Sequence, residues 1–156
     1  MLGTPVDAWY LWIGTGVVAL AILGIGLSLP SVAPPDAVGP AETVDRTAAH
    51  SHPATAEHPI DADEIRIGAD SIELRTGDKT STHRFLSAPV TPADNDETLE
   101  SVMWGTPPEH RFDSPKALQN ASVEAQRQEP EWRPAGDRVF VRTVHWGEHN
   151  VTLVGA

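Results

Sequence analysis

An apolar run of 22 residues, from Ala8 to Leu29, constrains this chain more than any other feature of its sequence. The run contains no charged side chain and is followed by Pro30. At about 1.5 Å per residue, a helix of this length extends roughly 33 Å, which is close to the roughly 30 Å hydrocarbon core of a bilayer. The sequence therefore predicts a short tail over 1–7 and a membrane-spanning helix over 8–29.

Two other interpretations of the run fit less well. A secretory signal peptide has a basic start and a shorter apolar stretch, whereas Met1 to Asp7 contains no Lys or Arg. A buried core helix of this hydrophobicity would need a larger domain around it than the mostly polar remainder of the chain provides. The spanning helix remains the prediction.

Aromatic side chains mark the N-terminal edge of the run, at Trp9, Tyr10 and Trp12. Their amphipathic rings favour the headgroup boundary, so we predict that they lie at the membrane interface and that residues 8–29 contact lipid. Mostly small residues also recur along one predicted stripe of this helix, where another helix could pack closely. The stripe comprises Gly14, Val17, Ala21, Gly24 and Ser28.

The flanks of the run give little information on orientation, because the nearest basic residue is Arg46. With a short N-terminal tail and the bulk of the chain downstream, we predict a single-pass protein of the cell membrane with its C-terminal domain outside. Two possible glycosylation sites, Asn120 in Asn-Ala-Ser and Asn150 in Asn-Val-Thr, are compatible with an exported domain.

The charge balance is strongly acidic, with 22 Asp and Glu against 11 Lys and Arg. Such a surface repels nucleic acid and anionic headgroups, which argues against a nucleic-acid partner. An excess of carboxylates with only two lysines is typical of a protein that works in concentrated salt, where screening removes the self-repulsion. The absence of cysteine excludes disulfides, a thiolate nucleophile and Cys-ligated zinc.

After the run, residues 30–60 contain many prolines together with Ala, His and Thr, which predicts an extended stalk. A short helix over Ala41 to Ala49 is expected to interrupt it. The domain proper is predicted over 61–156, where apolar residues begin to alternate.

The pattern over 61–156 predicts an α+β domain: one antiparallel sheet of about five strands with two helices on one face. Three strands form a meander around Ile65 to Ser87, with a positive-φ turn at Gly77, and a hairpin over Arg138 to Val154 closes the sheet. The helices run from a cap at Asn95 or Asp96 to Met103, and from the cap-proline pair at Ser114 to about Gln128.

Histidines suggest a metal site at two places, but weakly. His50, His52 and His58 cluster in the predicted stalk. His145 and His149 flank a hairpin turn with Glu148 between them, and could face one another. Because a site needs three or four convergent ligands with a supporting shell, we predict no metal and keep the second group as an alternative.

The sequence predicts no catalytic or cofactor-binding residues. Asp61, Asp63 and Glu64 form an acidic patch without the spacing of a calcium loop, and Ser114 lacks the surroundings of a nucleophile. We predict core positions for two of the tryptophans at 104, 132 and 146. Trp132, in a Pro-rich segment, is the best candidate for a recognition loop.

Several stretches of the chain resemble a family of uncharacterised haloarchaeal membrane proteins. These stretches are Val6–Trp12, Thr43–Arg46, His52–Pro59, Phe112–Pro115, Glu131–Arg138 and Val151–Ala156. The resemblance implies an association with type IV pilus-like or related secretion machinery, and it transfers no catalytic residue. The start of the chain differs from a prepilin, because no basic residue precedes Gly3.

Together these features predict a non-enzymatic, membrane-anchored accessory or structural subunit of a cell-surface assembly, pilus-like or secretory, that acts through contacts with other membrane or surface proteins. The alternative is a membrane-tethered metal-binding or enzymatic domain that uses His145, His149 and Glu148.

Overall fold

The computed structural model describes residues 33–87 and 89–156. The predicted membrane span over 8–29 lies outside these residues, as do the interface aromatics Trp9, Tyr10 and Trp12 and the small-residue stripe. Within the described ranges, no helix is both long and apolar enough to cross a bilayer.

The described residues form an α+β domain with three α-helices and eight strands. The helices are α1 (Val38–Ala48), α2 (Glu97–Met103) and α3 (Pro115–Arg127), with a 3₁₀ turn at Pro108–His110. The strands are β1 (Ala54–Pro59), β2 (Glu64–Ile67), β3 (Ser71–Thr76), β4 (Lys79–Arg84), β5 (Thr91–Pro92), β6 (Arg133–Pro134), β7 (Arg138–Trp146) and β8 (His149–Gly155).

The strands form two four-stranded sheets. The first has the order β1-β7-β8-β5, in which only β5 runs parallel to its neighbour, and the second has the order β4-β3-β2-β6 with antiparallel neighbours. The long β7–β8 hairpin forms the centre of the first sheet. In its register, Val141 lies opposite Val154 and Val144 lies opposite Val151. Its turn uses Gly147 at a φ of 64°, a conformation that glycine adopts without steric cost.

Two hydrophobic cores lie on opposite faces of the first sheet. Alternation along β8 produces them, because Val154 contributes to the first core whereas Val151 and Leu153 contribute to the second. In the first core, α1 and the inner face of the second sheet pack on β7 and β8. In the second core, α2 and α3 cover the other face.

The segment predicted as a stalk is part of this folded domain. The compact unit covers Ala33–Ala156, so the predicted domain start at residue 61 has to move to residue 33. Ala37, Ala41 and Val44 are fully buried, because their spacing of four and three places them on one face of α1. β1 pairs with β7 along its whole length. The short helix predicted over Ala41 to Ala49 is confirmed as α1, although it is packed into the domain, whereas the high proline content hid β1.

The prediction of one sheet of about five strands is also corrected. The meander and the closing hairpin are confirmed, but they belong to different sheets. Both predicted helices are confirmed as well: Asp96 caps α2 through the amides of Thr98 and Leu99, at 2.8 and 3.1 Å, and Ser114 caps α3 through that of Ala117 at 3.2 Å. The strands that the sequence did not predict include β5 and β6, which have only two residues each and show no alternation.

One carboxylate of α1 fixes the loop that follows β4. Oδ1 of Asp45 accepts hydrogen bonds from the amides of Leu86 and Ser87, at 2.8 and 2.7 Å. We expect Asp45→Ala to lower the free energy of unfolding by about 2 kcal/mol, because two bonds to a charged acceptor are lost at a partly exposed site. Denaturant unfolding measures this change, and hydrogen exchange at the Leu86 and Ser87 amides should accelerate.

The matched control for this prediction is Glu42→Ala, since Glu42 is an exposed carboxylate on the same helix. It should change the stability by less than about 0.5 kcal/mol. Equal losses for the two variants would contradict an anchoring role for Asp45.

Candidate functional site

A half-exposed tryptophan at the end of α2 marks the most distinctive surface of the domain. Trp104 is 54 % exposed. Trp132 and Trp146 are partly buried, and only Trp146 of the three packs against a core, so the prediction of two core tryptophans among 104, 132 and 146 is not met in full. Its ring meets Phe140 of β7 edge to face, with centroids 4.3 Å apart. Its Nε1 donates to Oε1 of Glu100 at 3.3 Å. The indole is therefore held in a fixed position while one part of it faces solvent.

The local sequence explains why this indole is outside. Leu99, Val102 and Met103 form the buried side of α2, so the next residue lies beyond that side. Gly105 then ends the helix at a φ of +113°, a backbone conformation that side chains rarely allow. The chain therefore turns away from the helix axis directly after Trp104. This leaves the indole at the corner between α2 and the loop that follows it.

A pocket of about 240 Å³ lies next to this corner, between the loop after α2 and the middle of β7. Pro107 and Pro108 contribute to its wall on the loop side, and Arg142 and His145 contribute from β7. We call this cavity, together with Trp104, the Trp104 surface. Trp104 was considered in the sequence only as a possible core residue, and Arg142 did not stand out, because a single residue after a helix or within an alternating strand carries no spacing signal.

A second, larger cleft of about 520 Å³ lies between the start of α2 and the segment after α3. Carboxylates dominate its lining: Asp94, Glu97, Glu100, Glu129 and Glu131. Burial raises the pKa of Asp94 to about 6, although Arg133 and a hydrogen bond from the backbone of Ala156 oppose the shift and Glu100 adds to it. This cleft therefore holds a carboxylic acid that exchanges its proton near neutral pH.

The alternative metal group at the β7–β8 turn does not assemble. His145 lies directly opposite Asn150, and Trp146 lies opposite His149. Residues directly opposite each other share a face and successive residues alternate, so the two histidines point to opposite faces of the hairpin. The expectation that they could face one another is wrong. In the described ranges, no group of three or more potential metal ligands is present.

The three histidines near α1 likewise have separate partners. Nδ1 of His50 lies 2.7 Å from the carbonyl oxygen of Arg46, and Nδ1 of His52 lies 3.1 Å from the hydroxyl of Ser51. Nδ1 of His58 lies 3.1 Å from Oγ1 of Thr43. Each imidazole supports its own stretch of backbone or side chain, and the three do not converge.

Trp132, the predicted recognition residue, lies between two arginines on the second sheet. The guanidinium carbons of Arg66 and Arg75 are 4.7 and 4.3 Å from the centre of its ring, within the range of a cation–π contact. Each arginine also pairs with the glutamate directly opposite on the neighbouring strand, Arg66 with Glu73 and Arg75 with Glu64. Trp132 is thereby a half-buried part of a charged platform.

The remaining residues that the sequence drew attention to have structural roles or are exposed. Asp63 accepts a hydrogen bond from the amide of Gly77 at 2.9 Å, so the acidic patch supports a turn. Asn120 is exposed within α3, and Asn150 is exposed at the start of β8. Both possible glycosylation sites are thus on the surface.

Comparisons with known proteins give a family without an assigned activity. The chain matches no curated protein and no solved structure. A family model described as a family of unknown function, DUF7283, matches residues 3–144, about nine-tenths of the chain. This match confirms the resemblance to an uncharacterised family. It covers the apolar run, most of β7 and the Trp104 surface except His145. The chain belongs to the family of unknown function DUF7283.

Proposed function

We propose that this protein is a membrane-anchored accessory or structural subunit of a cell-surface assembly, and that it acts through contacts with other proteins. The apolar run over 8–29 is the anchor, and the domain over 33–156 is displayed outside the cell. The single observation that carries the proposal is the half-exposed Trp104, which the ring of Phe140 and the carboxylate of Glu100 hold in place.

Two properties of Trp104 support a role in protein contacts. Tryptophan is among the residues that contribute most to the affinity of protein interfaces. Because Phe140 and Glu100 already fix the ring, binding would cost little side-chain entropy. An exposed aromatic ring that is both large and held in place is a suitable anchor for a partner.

The anchor is supported by the sequence. The run has the length of a bilayer core and no charge. The family match begins at residue 3, so the run lies within the segment that the family model matches. A finer assignment, to a type IV pilus-like or secretion assembly of a haloarchaeon, rests on the sequence resemblance and on the formal charge of −11.

Fractionation and protease treatment of intact cells test the anchoring and the topology together. We expect the full-length chain in the membrane fraction, and we expect external protease to digest the domain while a cytoplasmic control protein survives. Recovery of untrimmed full-length protein in the soluble fraction without detergent would contradict the anchor. A membrane-bound chain that resists external protease until the cells are permeabilised would contradict the external placement.

A further inference from the structure

We propose that the pocket beside Trp104 binds a carboxylate group presented by a partner protein, with the guanidinium of Arg142 as its cationic ligand. This inference rests on the proposed function, because it names the chemistry that the contact surface recognises. The carboxylate can belong to an acidic side chain or to the end of a chain, and the test below distinguishes the two sources.

Arg142 differs from every other strand arginine in the part of the chain that the structure describes. The other five each pair with a carboxylate: Arg66 with Glu73, Arg75 with Glu64, Arg84 with Asp70, Arg133 with Asp94 and Arg138 with Glu57. Arg142 makes no ion pair within those same residues, although the chain has twice as many acidic as basic residues. Its guanidinium lines the pocket instead.

The backbone beside Arg142 gives its guanidinium room. A Cβ atom added to Gly105 would lie 3.3 Å from Nη1 of Arg142, closer than most such contacts. The missing side chain at Gly105 thus lets the guanidinium lie against the loop after α2. Planar guanidinium groups bind carboxylates through two parallel hydrogen bonds, which requires the guanidinium to be held in a defined orientation. The loop after α2 restricts the orientation of the Arg142 guanidinium in this way.

His145 also contributes to the pocket lining, but its side chain does not lie on the same face of β7 as that of Arg142. The two residues are three positions apart, and successive side chains of a strand alternate between the faces of the sheet. Arg142 shares the face of Phe140 and Val144 in the second core, whereas His145 shares the face of Thr143, whose hydroxyl donates to the carbonyl oxygen of Thr47 in α1. Arg142 is therefore the charged side chain of β7 that a carboxylate in this pocket can reach.

The size of the pocket limits the ligand. Its volume of about 240 Å³ lies below the roughly 300–1,000 Å³ of sites that enclose a small-molecule ligand. A side chain or a chain end fits this volume better than a whole cofactor. The exposed Trp104 next to it offers additional contact area for the rest of the partner. Glu109 is an exposed residue of the lining, and its carboxylate would repel the negative charge of the bound carboxylate.

Calorimetric titration of the full chain in mild detergent tests the proposal, at the lowest salt concentration at which circular dichroism shows the folded domain. Three tripeptides serve as probes. Acetyl-Ala-Glu-Ala-amide presents a side-chain carboxylate, uncapped trialanine presents a terminal one, and acetyl-Ala-Gln-Ala-amide presents none. We expect at least one carboxylate probe to bind about tenfold more tightly than the glutamine peptide. Preference for the first identifies an acidic side chain, and preference for the second a chain end.

Four variants make the test specific. Arg142→Gln should weaken the binding of the preferred probe about tenfold, and Arg142→Lys should recover only part of the loss, because lysine keeps the charge without the planar fork. Glu109→Gln should tighten binding about twofold by removing a repulsive charge. Arg138→Gln is the matched control, since it removes an arginine of the same strand that already pairs with Glu57, and binding should stay unchanged.

Equal affinity for the glutamine peptide, undetectable binding of every probe, or an Arg142→Gln variant that binds like the original chain would each overturn the proposal. These failures are distinguishable from failure of the proposed function. If the chain is membrane-bound and its Trp104 surface crosslinks a partner while the probes do not bind, only the carboxylate inference fails. If the probes bind and the chain is soluble, the anchored function fails.

Discussion

Replacing Gly155 with alanine is expected to lower the free energy of unfolding by about 3 kcal/mol, the upper part of the range for overfilled cores. A Cβ atom at this position would overlap Oδ1 of Asp94. It would also lie 2.7 Å from Cε and 2.8 Å from Sδ of Met103, which is fully packed in the second core. Because β8 is hydrogen-bonded to β7 and β5, its backbone has little freedom to move away. Denaturant unfolding of the full chain measures the loss.

Gly68→Ala is the matched control for that prediction. Gly68 is also buried, but the atoms nearest to an added Cβ lie 3.6 Å away, at an ordinary contact distance. Its stability should change by less than about 1 kcal/mol. Adding Met103→Ala to Gly155→Ala should recover little, since Asp94 remains in the way and a cavity opens. A Gly155→Ala variant as stable as the Gly68→Ala variant would contradict the close packing of β8 against Asp94.

Replacing Asp94 with asparagine is expected to stabilise the protein by up to about 3 kcal/mol at pH 8, while near pH 4 the two proteins should be about equally stable. Burial raises the pKa of Asp94 to about 6, from an ordinary value of 3.8. The folded state therefore binds the proton more tightly than the unfolded chain does. The free energy of unfolding falls as the pH rises from about 4 to about 6, and it stays low above that range.

Asparagine keeps the shape and an acceptor for the Ala156 amide, and it carries no charge at any pH, so the variant lacks this pH dependence. Urea unfolding at several pH values between 4 and 8 measures the difference between the two proteins. Asp113→Asn is the control, because Asp113 is an exposed carboxylate. A difference between wild type and Asp94→Asn that is the same at pH 4 and pH 8 would contradict the raised pKa.

Much of this fold can be predicted from the sequence wherever a local signal acts alone. Asp96 and Ser114 were identifiable as helix caps because a short polar side chain precedes an apolar stripe in each case. Gly77 and Gly147 were identifiable as turn residues between alternating segments, and both adopt a positive φ. Alternation placed β2, β3, β7 and β8 correctly to within a few residues.

Composition misled the prediction where proline is frequent. Pro40 lies near the start of α1, where the fixed φ of proline is compatible with a helix, and Pro53 and Pro59 lie just before β1 and at its end. A stalk and a packed helix–strand unit are therefore hard to separate by proline content. The buried stripe of Ala37, Ala41 and Val44 was the better signal, although its small side chains give it little weight.

The candidate site was less predictable than the fold because it depends on relations between distant segments. The packing of Trp104 on Phe140 joins α2 to β7, and no periodicity links residues so far apart. Among the described residues Arg142 makes no ion pair, and this becomes visible only when the partners of the other strand arginines are known from the structure. The opposite faces of His145 and His149 likewise required the register of the hairpin.

Photocrosslinking from position 104 in living cells detects a protein contact at the Trp104 surface. Trp104 is replaced by p-benzoylphenylalanine in the full chain, and the same replacement at Lys116, an exposed residue of α3, provides the control. We expect a crosslinked product with one discrete second protein in the membrane fraction, from position 104 and not from position 116. Full-length chain that stays uncrosslinked from position 104, or gives the same products from both positions, would contradict a protein contact at the Trp104 surface.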